Sequence, residues 1–436
     1  MKKSRGFPKI FFGWWTVVAC SLLTLWGAGY YGYGMSALFK PIASGLSFSR
    51  ATTSVAAGIG KAINGPQSLL TGWLSDRFGP RWIIVGGVFL IGLGLILMNF
   101  IDSLWAFYLV WGVTLGTGVN IALELPMNTA ISNWFVKKRG TALGIRMASI
   151  GLAGVLVLPL VAWLIVGQGW RMTCVTGGLV MWLVGLPLAA AFVRQHRPEY
   201  YGLLPDGATT EEETAHVGQM MGRGADYAAE VGEVEFTFKQ AIKTRAFWLL
   251  VMARGGYDVA GPAIAMHSIP LLTDMGIEPM GAAGIVAIMA LVSIPARFVI
   301  GFLVDRVTRN RLRFLIMATL ALQAIGITTF VLDQTLSAAY VLLVCSGTAI
   351  GAGMILDYTV RARYFGRKSF GSIQGASMLL TPPLAVLGPI YVGWVYDTTG
   401  SYVSAFAWLA ALIAFFVAAM PFAMPPKPPT GTVKSR

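Results

Sequence analysis

The chain repeats a short polar signature at two distant places, each time at the end of a long apolar run. Residues 72–77 read Gly-Trp-Leu-Ser-Asp-Arg, and residues 301–306 read Gly-Phe-Leu-Val-Asp-Arg, so the two aspartates are 229 residues apart (305 minus 76). A second pair of similar segments, at residues 134–138 and 364–368, recurs at nearly the same offset. This spacing indicates a duplication, and the fold is therefore expected to consist of two similar halves.

Apolar segments of membrane length make up both halves. Hydrophobic residues are 56% of the chain and charged residues only 12%, which is far from the composition of soluble domains. A helix needs about 20 apolar residues to cross a bilayer. The expected fold class is an all-α integral membrane protein with twelve transmembrane helices in two pseudo-symmetric six-helix bundles. The predicted spans are residues 11–37, 51–73, 82–101, 105–131, 141–166, 172–193, 246–272, 281–303, 313–332, 337–359, 370–395 and 402–424.

The positions of Lys and Arg predict the orientation of these spans. With the N-terminus inside, 26 of the 33 lie in tails, in inner loops or at the inner boundary of a span, four lie deeper within spans, and only Lys40, Arg50 and Arg171 lie in outer loops. Basic residues accumulate on the cytoplasmic side, so both termini are expected in the cytoplasm and the protein in the cell inner (plasma) membrane. The net charge of +14 follows from this topology. Because the basic residues are spread over many inner segments, no nucleic-acid partner is expected.

One long polar segment divides the chain. Residues 194–245 contain three consecutive glutamates and a Gly-rich stretch, a composition typical of a solvated linker. The expected domains are an N-terminal six-helix bundle at residues 1–193, a cytoplasmic linker at 194–245, and a C-terminal six-helix bundle with a short cytoplasmic tail at 246–436. Residues 236–245 are predicted to form a short amphipathic helix. The basic start of the chain is not interpreted as a signal peptide, because the apolar run after it is too long.

Two parallel repeats of six spans are a known transporter architecture, with the binding site between the repeats. A pump driven by nucleotide hydrolysis would need a Gly-rich phosphate loop after a strand, and the sequence contains no such pattern. An enzyme would need a metal or nucleophile constellation, and the three histidines lack ligand spacing. The sequence therefore predicts a transporter without enzymatic activity, cofactor or metal. A non-transporting membrane sensor on a carrier fold remains the alternative of a different class.

Longer motifs connect the chain with a known family. Residues 72–81 read Gly-Trp-Leu-Ser-Asp-Arg-Phe-Gly-Pro-Arg and resemble the signature of the major facilitator superfamily. Further motifs are similar to the branch of monocarboxylate transporters and oxalate/formate antiporters, of bacterial type. They are Phe-Gly-Trp-Trp at 12–15, Asn-Trp-Phe-Val-Lys-Lys-Arg-Gly at 133–140, Arg-Pro-Glu-Tyr-Tyr-Gly-Leu-Leu-Pro-Asp-Gly at 197–207, and Ala-Arg at 296–297. The resemblance covers nearly the whole chain and implies the major facilitator fold.

The signature residues have an expected role in gating. Asp76 is predicted either to accept hydrogen bonds from amides at a helix N-terminus or to pair with an arginine of the other half. Both arrangements would latch one conformation of the carrier. Asp305 holds the equivalent position in the second half, and Arg77, Arg81 and Arg306 are assigned to the same gating or structural group.

Ionisable side chains at membrane depth cost about 2.5 to 3.5 kcal/mol each, so they indicate a function or a partner. Arg297 is the first candidate for a substrate ligand, because a guanidinium holds a carboxylate by two parallel hydrogen bonds and keeps its charge. The resemblance also implies that the matching arginine binds the substrate carboxylate. Ser293, one turn away, is a further candidate and stands where animal monocarboxylate transporters carry an aspartate. The alternative is that Arg297 belongs to a structural ion pair.

Spans two and four supply two more candidates. Lys61 is predicted either to contact the substrate or to pair with an acid on a neighbouring helix. Glu124 shares a polar stripe with Asn120 and Asn128. A buried carboxyl that changes its charge between states is the simplest proton carrier, so Glu124 is a candidate for substrate binding and for proton coupling. The alternative for Glu124 is a salt bridge with Arg146.

Span seven carries a possible coupling pair. Arg254 and Asp258 are four residues apart and either neutralise each other or exchange partners when Asp258 takes up a proton. His267, near the outer end of this span, is a candidate for the substrate site because imidazole titrates near neutral pH. The alternative is a packed polar residue. Span one supplies Tyr30, Tyr31 and Tyr33, and two of these are predicted to line the cavity and contact a small acyl chain, with Tyr31 assigned to the substrate site. The alternative is that they anchor their helix at the membrane interface.

Together these residues predict a secondary active transporter that moves a small organic anion by alternating access. A monocarboxylate such as lactate or pyruvate, moved with a proton, is the favoured cargo. Carboxylate exchange of the oxalate/formate type is the alternative, and a zwitterionic or cationic substrate is a third hypothesis. The expected partners are the anion, a proton and the lipid bilayer, and the protein is expected to function as a monomer.

Overall fold

The computed structural model describes residues 11–48, 50–208 and 234–427, and all regular structure in these ranges is helical. The description of these ranges does not include the side chains of residues 50, 51, 53, 54, 57, 58, 61, 279, 280, 283 and 382.

Twelve membrane-length helices follow one another along the described chain, which confirms the predicted fold class. In the first half, one long stretch, Arg139–Phe192, contains two of them. Gly169 divides it into α5 and α6 with φ 80° and ψ 163°, a left-handed conformation that favours glycine. The other helices are α1 (Phe12–Gly45), α2 (Arg50–Phe78), α3 (Pro80–Phe100), α4 (Leu104–Trp134), α7 (Arg245–Asp274), α8 (Pro279–Arg306), α9 (Arg309–Leu332), α10 (Leu336–Phe365), α11 (Phe370–Thr399) and α12 (Val403–Phe422).

Two helices, α2 and α7, are more polar than the rest. Nine helical stretches among the described residues are long and apolar enough to cross a membrane, and α2 and α7 are not among them. They carry polar and charged side chains in mid-helix, such as Asn64 and Gln67 in α2 and Asp258 in α7. Polar groups inside a bilayer must face protein or water. The polar side chains of these two helices are therefore expected to line a polar site inside the protein.

The helices extend beyond the predicted apolar segments. α1 ends at Gly45 instead of residue 37, and α10 ends at Phe365 instead of residue 359. A helix satisfies its own backbone hydrogen bonds, so it continues through polar residues after the apolar run has ended. The predicted amphipathic helix at residues 236–245 is shorter than expected. Only Phe238–Ala241 is helical, and it begins with a capping box.

The two halves have separate apolar cores and meet along two pairs of helices. One core is formed mainly by residues 17–193 and the other by residues 236–423. Across the boundary, α5 packs against α8, and α2 packs against α11. The duplication relates α2 to α8 and α11 to α5, so it exchanges the two contacts. The interface between the halves is therefore pseudo-symmetric.

Glycines allow the backbones to approach closely at both contacts. A Cβ atom added to Gly72 of α2 would overlap the carbonyl of Gly371 in α11. A Cβ atom added to Gly301 of α8 would overlap the carbonyl of Gly140 in α5. Gly72 and Gly301 are the first residues of the two repeated signatures. The duplicated glycine therefore serves the packing of one half against the other.

Candidate functional site

The second signature aspartate, Asp305, binds the first turn of a helix in the other half. Its Oδ1 accepts a hydrogen bond from the backbone N–H of Gly140 at 2.7 Å. Its Oδ2 accepts from the backbone N–H and the hydroxyl of Thr141 at 2.8 and 2.7 Å. These residues begin α5, and a carboxylate at a helix N-terminus is favoured by the unpaired amides and by the helix dipole.

The first signature aspartate repeats this arrangement at α11. The Asp76 carboxylate accepts from the backbone N–H of Gly371 at 2.9 Å, and from the N–H and hydroxyl of Ser372 at 2.7 Å each. Of the two arrangements expected for Asp76, the structure contains the capped helix N-terminus. We call the end of the bundle that carries Asp76 and Asp305 the latch face. At this face the halves are joined by two equivalent sets of hydrogen bonds.

The signature arginines lie beside aromatic rings. The guanidinium carbon of Arg77 is 5.2 Å from the ring centre of Trp73, that of Arg81 is 5.4 Å from Trp82, and that of Arg306 is 3.6 Å from Phe302. Such cation–π contacts are favourable by about 0.5 to 1 kcal/mol at exposed sites. In the part of the chain that the structure describes, these arginines do not form salt bridges with Asp76 or Asp305.

The motif at residues 197–207 provides a third connection at the latch face. Arg367 Nη2, from the second half, is 3.1 Å from Glu199 Oε1, and both side chains are buried. Arg367 Nη1 donates to the carbonyl of Asn133 at the end of α4. Glu199 belongs to the first half, because the neighbouring Tyr201 stacks on Trp134 with ring centres 6.1 Å apart. Sequence reasoning used this motif only as a family resemblance and missed its ion pair.

The same motif also caps the loop between α4 and α5. The Asp206 carboxylate accepts hydrogen bonds from three consecutive backbone amides, those of Val136, Lys137 and Lys138, at 3.1, 2.8 and 2.9 Å. The start of the linker is therefore anchored to the first half. Motion of this half would carry Glu199 with it.

Removing the charge of Asp305 should weaken the closed latch face. In Asp305→Asn the amide cannot accept on both side-chain atoms, and charge-assisted hydrogen bonds contribute about 1.5 to 3 kcal/mol each. We expect the ratio of molecules with a closed latch face to molecules with an open one to fall by about tenfold or more. Spin labels at the exposed positions Lys138 and Arg311 would report this as a shift to longer distances. The control is Asp397→Asn at the exposed end of α11, and an unchanged distance distribution in Asp305→Asn would contradict the latch.

Arg297 lies in α8 where this helix faces the first half. Its side chain is 6% exposed. Nη1 donates to the carbonyl of Met147 in α5 at 3.2 Å, Nη2 is 3.9 Å from Met354 Sδ, and Nε has no partner in the described part of the chain. No carboxylate of the described residues forms an ion pair with it. The guanidinium therefore keeps hydrogen-bonding capacity for an anionic ligand.

Tyr33 lies beside Arg297. A Cβ atom added to Gly151 of α5 would lie 3.3 Å from Arg297 Nη1, and one added to Gly154 would lie 3.0 Å from the Tyr33 ring. The two side chains thus pack one helical turn apart on the same face of α5. Tyr31, the predicted contact, instead stacks on Trp111 with ring centres 5.8 Å apart.

A second arginine without an acidic partner lies in α5. Arg146 donates from Nε to the Thr24 hydroxyl at 3.2 Å and from Nη1 to Asn128 Oδ1 at 3.1 Å. The alternative salt bridge between Arg146 and Glu124 is not formed. Arg146 and Arg297 are close enough to interact electrostatically. Two buried cations that no acid of the described chain pairs with make this region favourable for an anion.

Glu124 lies at a distortion of α4. The π-helical turn Asn120–Glu124 ends at this residue, whose backbone has φ −99° and ψ −90°. Such turns occur frequently at functional sites. The Glu124 carboxylate is partly exposed and within electrostatic range of Arg146, yet no described residue donates a hydrogen bond to it. Its neighbour in the predicted stripe, Asn120, is bonded to Asn64 of α2 at 2.8 Å.

In the second half, buried charges neutralise one another. Arg254 Nε is 2.8 Å from Asp258 Oδ2. Of the two alternatives expected for this pair, the structure therefore contains the one in which the two residues neutralise each other. Arg254 also lies 3.7 Å from Asp357 Oδ2. Asp357 forms a second ion pair with Arg361 and accepts from Gln374 Nε2 at 2.6 Å. This network joins α7, α10 and α11. Arg361 lay outside the predicted span ten, so sequence reasoning missed it.

The remaining candidates have other surroundings. His267 Nε2 is 3.0 Å from the carbonyl of Pro389 in α11, and its ring packs on Tyr402 at the start of α12. The Ser293 hydroxyl donates to the carbonyl of Ala290 in its own helix at 2.7 Å. Neither the Ser293 hydroxyl nor the His267 imidazole therefore forms a hydrogen bond with Arg297. Lys61 lies on α2, and its side chain falls outside the described residues.

Comparison with solved structures supports the fold. The crystal structure of FucP, a transporter of the Major Facilitator Superfamily in the outward conformation, matches with a TM-score of 0.69 over 94% of this chain and 99% of FucP, at 13% sequence identity. The human organic anion transporter MFSD10 (TETRAN) matches with a TM-score of 0.65 over 94% of this chain and 99% of that chain, at 15% identity.

Comparison with curated sequences supports the branch. Monocarboxylate transporter 13 of Rattus norvegicus is 24% identical over 83% of this chain and 78% of its own length. Monocarboxylate transporter 11 of Mus musculus is 26% identical over 95% of this chain and 89% of its own length. The oxalate:formate antiporter of Oxalobacter formigenes is 26% identical over 68% of this chain and 65% of its own length. Because the family pattern itself matches residues 19–382, the chain belongs to the Major Facilitator Superfamily of membrane transporters.

Proposed function

We propose that this protein is a secondary active transporter that moves a small monocarboxylate, such as lactate or pyruvate, together with a proton. The single observation that carries the proposal is Arg297, a buried arginine at the boundary of the two halves without an acidic partner in the described chain. A carboxylate bound there would satisfy the free Nε–H and neutralise the charge. The named relatives act on monocarboxylates or on oxalate and formate, which agrees with this ligand class.

Alternating access is the proposed mechanism. The latch face closes the carrier through Asp76, Asp305 and the pair of Glu199 with Arg367. Opening of these contacts, with closure at the opposite end, would expose Arg297 to the other side of the membrane. In this proposal the latch face and both termini are cytoplasmic, which is supported by the accumulation of basic residues in the loops on that side. The proposed unit is a monomer in the plasma membrane, with domains at residues 1–193 and 246–436 joined by the linker 194–245.

Glu124 is the proposed proton carrier. Its carboxylate is partly exposed, lacks a hydrogen-bond donor among described residues, and lies near Arg146. Protonation of Glu124 would accompany anion binding and lower the charge of the loaded site. Asp258 is less suited, because Arg254 holds it at 2.8 Å.

The test is uptake of labelled lactate, pyruvate, acetate and oxalate into proteoliposomes. An inside-alkaline gradient should drive accumulation of a monocarboxylate, whereas a carboxylate exchanger would need a preloaded counter-anion instead. Anion exchange is the second candidate, because Arg146 gives the site a second cation without an acidic partner in the described chain. Absence of both activities would contradict the proposal.

Neutralising Glu124 should separate proton coupling from binding. In Glu124→Gln the side chain keeps its shape but cannot carry a proton, so we expect accumulation driven by the pH gradient to fall by about tenfold or more, while exchange of internal for external anion persists. The control is Glu278→Gln, the same chemical change at an exposed glutamate at the start of α8. Gradient-driven uptake of Glu124→Gln at the rate of the unmodified protein would refute the assignment.

A further inference from the structure

A cavity of about 260 Å³ opens on the latch face, where the two halves and the linker meet. The first half contributes the turn at residues 75–79 and the end of α4 at Asn133. The linker contributes residues 195–197 and Tyr200, and the second half contributes Arg367 and Lys368. An occupant of this cavity would therefore contact all three parts of the chain at once.

The charges around the cavity favour an anion. Among the described residues, four cationic side chains line it, against the single carboxylate of Asp76, which is already bonded to the first turn of α11. Arg197 and Arg367 have acidic partners outside the lining. Arg77 and Lys368 are exposed and have no such partner among the residues described. These two unpaired cations come from different halves of the protein.

A buried hydroxyl gives independent support for a ligand. Ser75 is 3% exposed, lines the cavity, and its Oγ has no hydrogen-bond partner among the residues that the structure describes. Polar atoms buried without a partner are rare in folded proteins and call for a ligand, an ion or water. The exposed ring of His196, which packs on Tyr200 with ring centres 4.3 Å apart, adds a further hydrogen-bonding group.

We propose that this cavity is a regulatory site for a phosphate group, and that its occupant stabilises the closed latch face. A phosphate monoester or inorganic phosphate carries about 1.5 to 2 negative charges and several acceptor oxygens, which suits Arg77 and Lys368 together with the Ser75 hydroxyl. A monocarboxylate has one charge and matches only one of these cations. The phosphate belongs either to a lipid headgroup or to a soluble molecule.

The regulatory effect follows from the position of the two cations. Because Arg77 and Lys368 belong to different halves, opening of the latch face would separate them, so the ligand binds the closed conformation more tightly. A ligand shifts a conformational equilibrium by its difference in affinity for the two states. The site does not depend on which cargo is carried, and binding can be measured without transport.

The first experiment measures binding and conformation in neutral detergent. Inorganic phosphate, compared with chloride at matched ionic strength, is expected to raise the melting temperature and to shift the distances between labels at Lys138 and Arg311 toward the closed latch face. In Lys368→Ala the apparent phosphate affinity is expected to be about tenfold weaker, the loss of one charge-assisted hydrogen bond. Lys243→Ala, an exposed lysine outside the cavity lining, is the matched control and should bind as the unmodified protein does.

The second experiment distinguishes the source of the phosphate. The labelled protein is placed in bilayers of phosphatidylcholine alone or with phosphatidic acid, whose headgroup is a phosphate monoester, with and without inorganic phosphate. Closure by phosphatidic acid alone assigns a lipid headgroup, and closure by inorganic phosphate assigns a soluble ligand. The proposal is overturned if neither ligand changes the distances, or if Lys368→Ala and Lys243→Ala respond identically. Arg77→Ala provides a second variant, and it should weaken the response as Lys368→Ala does.

Discussion

Replacement of Arg297 by alanine is expected to reduce uptake of the carried anion by about 100-fold or more, because two charge-assisted hydrogen bonds to the carboxylate are lost. The side chain is buried and has no acidic partner in the described chain, so its removal leaves no stranded carboxylate. A loss of transport would therefore report on binding rather than on a broken ion pair. The measurement is the initial rate of uptake as a function of anion concentration in proteoliposomes.

A lysine at position 297 tests the positive charge of the side chain separately from the planar geometry of the guanidinium. Arg297→Lys keeps the positive charge but loses the planar fork that holds a carboxylate by two parallel bonds. We expect it to raise the anion concentration for half-maximal uptake by about tenfold, the equivalent of about 1.4 kcal/mol, with a smaller effect on the maximal rate. Arg171→Ala, which removes a surface arginine paired with Asp102, controls for insertion into the bilayer. Uptake by Arg297→Ala at the control rate would rule out Arg297 as the anion ligand.

Removal of the Asp357 carboxylate is expected to destabilise the second half by about 3 to 5 kcal/mol, the usual cost of breaking a buried ion pair from one side. Asp357 is 4% exposed and pairs with Arg361, which is 0% exposed, and it also lies near Arg254. In Asp357→Ala these arginines would stay buried without compensation. The measurement is the midpoint of thermal unfolding in detergent, together with the yield of monodisperse protein.

Asp258→Ala is the matched control for Asp357→Ala. It removes the same group from the same network, but the Asp258 side chain is 18% exposed and contacts only Arg254, at 2.8 Å. Water can replace part of that contact, so we expect a loss of about 1 kcal/mol. Equal loss of stability in the two variants would contradict the central position of Asp357. A loss of transport in Asp258→Ala without a loss of stability would instead favour its role in proton coupling.

Much of the candidate site could be predicted from residue types alone. Arg297, Glu124 and Asp258 were predicted as candidates because ionisable groups are costly at membrane depth, and that argument needs only a span and a residue. The residues that pair with these groups could not be predicted from residue types. A span boundary placed at residue 359 excluded Arg361, and the pairing of Glu199 with Arg367 joins positions 168 residues apart.

The choice among alternatives depended on how the helices are rotated against one another. Arg146 binds Thr24 and Asn128 and not Glu124, and Tyr33 rather than Tyr31 packs beside Arg297. In each case the competing residues lie within one or two turns of the same helix. A rotation of α1 or α4 by a fraction of a turn would exchange them, and a single sequence does not specify that rotation.

The twelve spans, the duplication and the family could be predicted from the amino-acid sequence, because these depend on the length and spacing of apolar segments and on motifs that are contiguous in the chain. The pairing of the charges, the latched conformation and the anchoring of the linker became known only from the packing of the helices. The two groups of features differ in the distance along the chain over which the interactions act. Partition into a bilayer is decided locally, over about 20 residues, whereas an ion pair or a capped helix end requires atoms from distant segments to meet within about 3 Å.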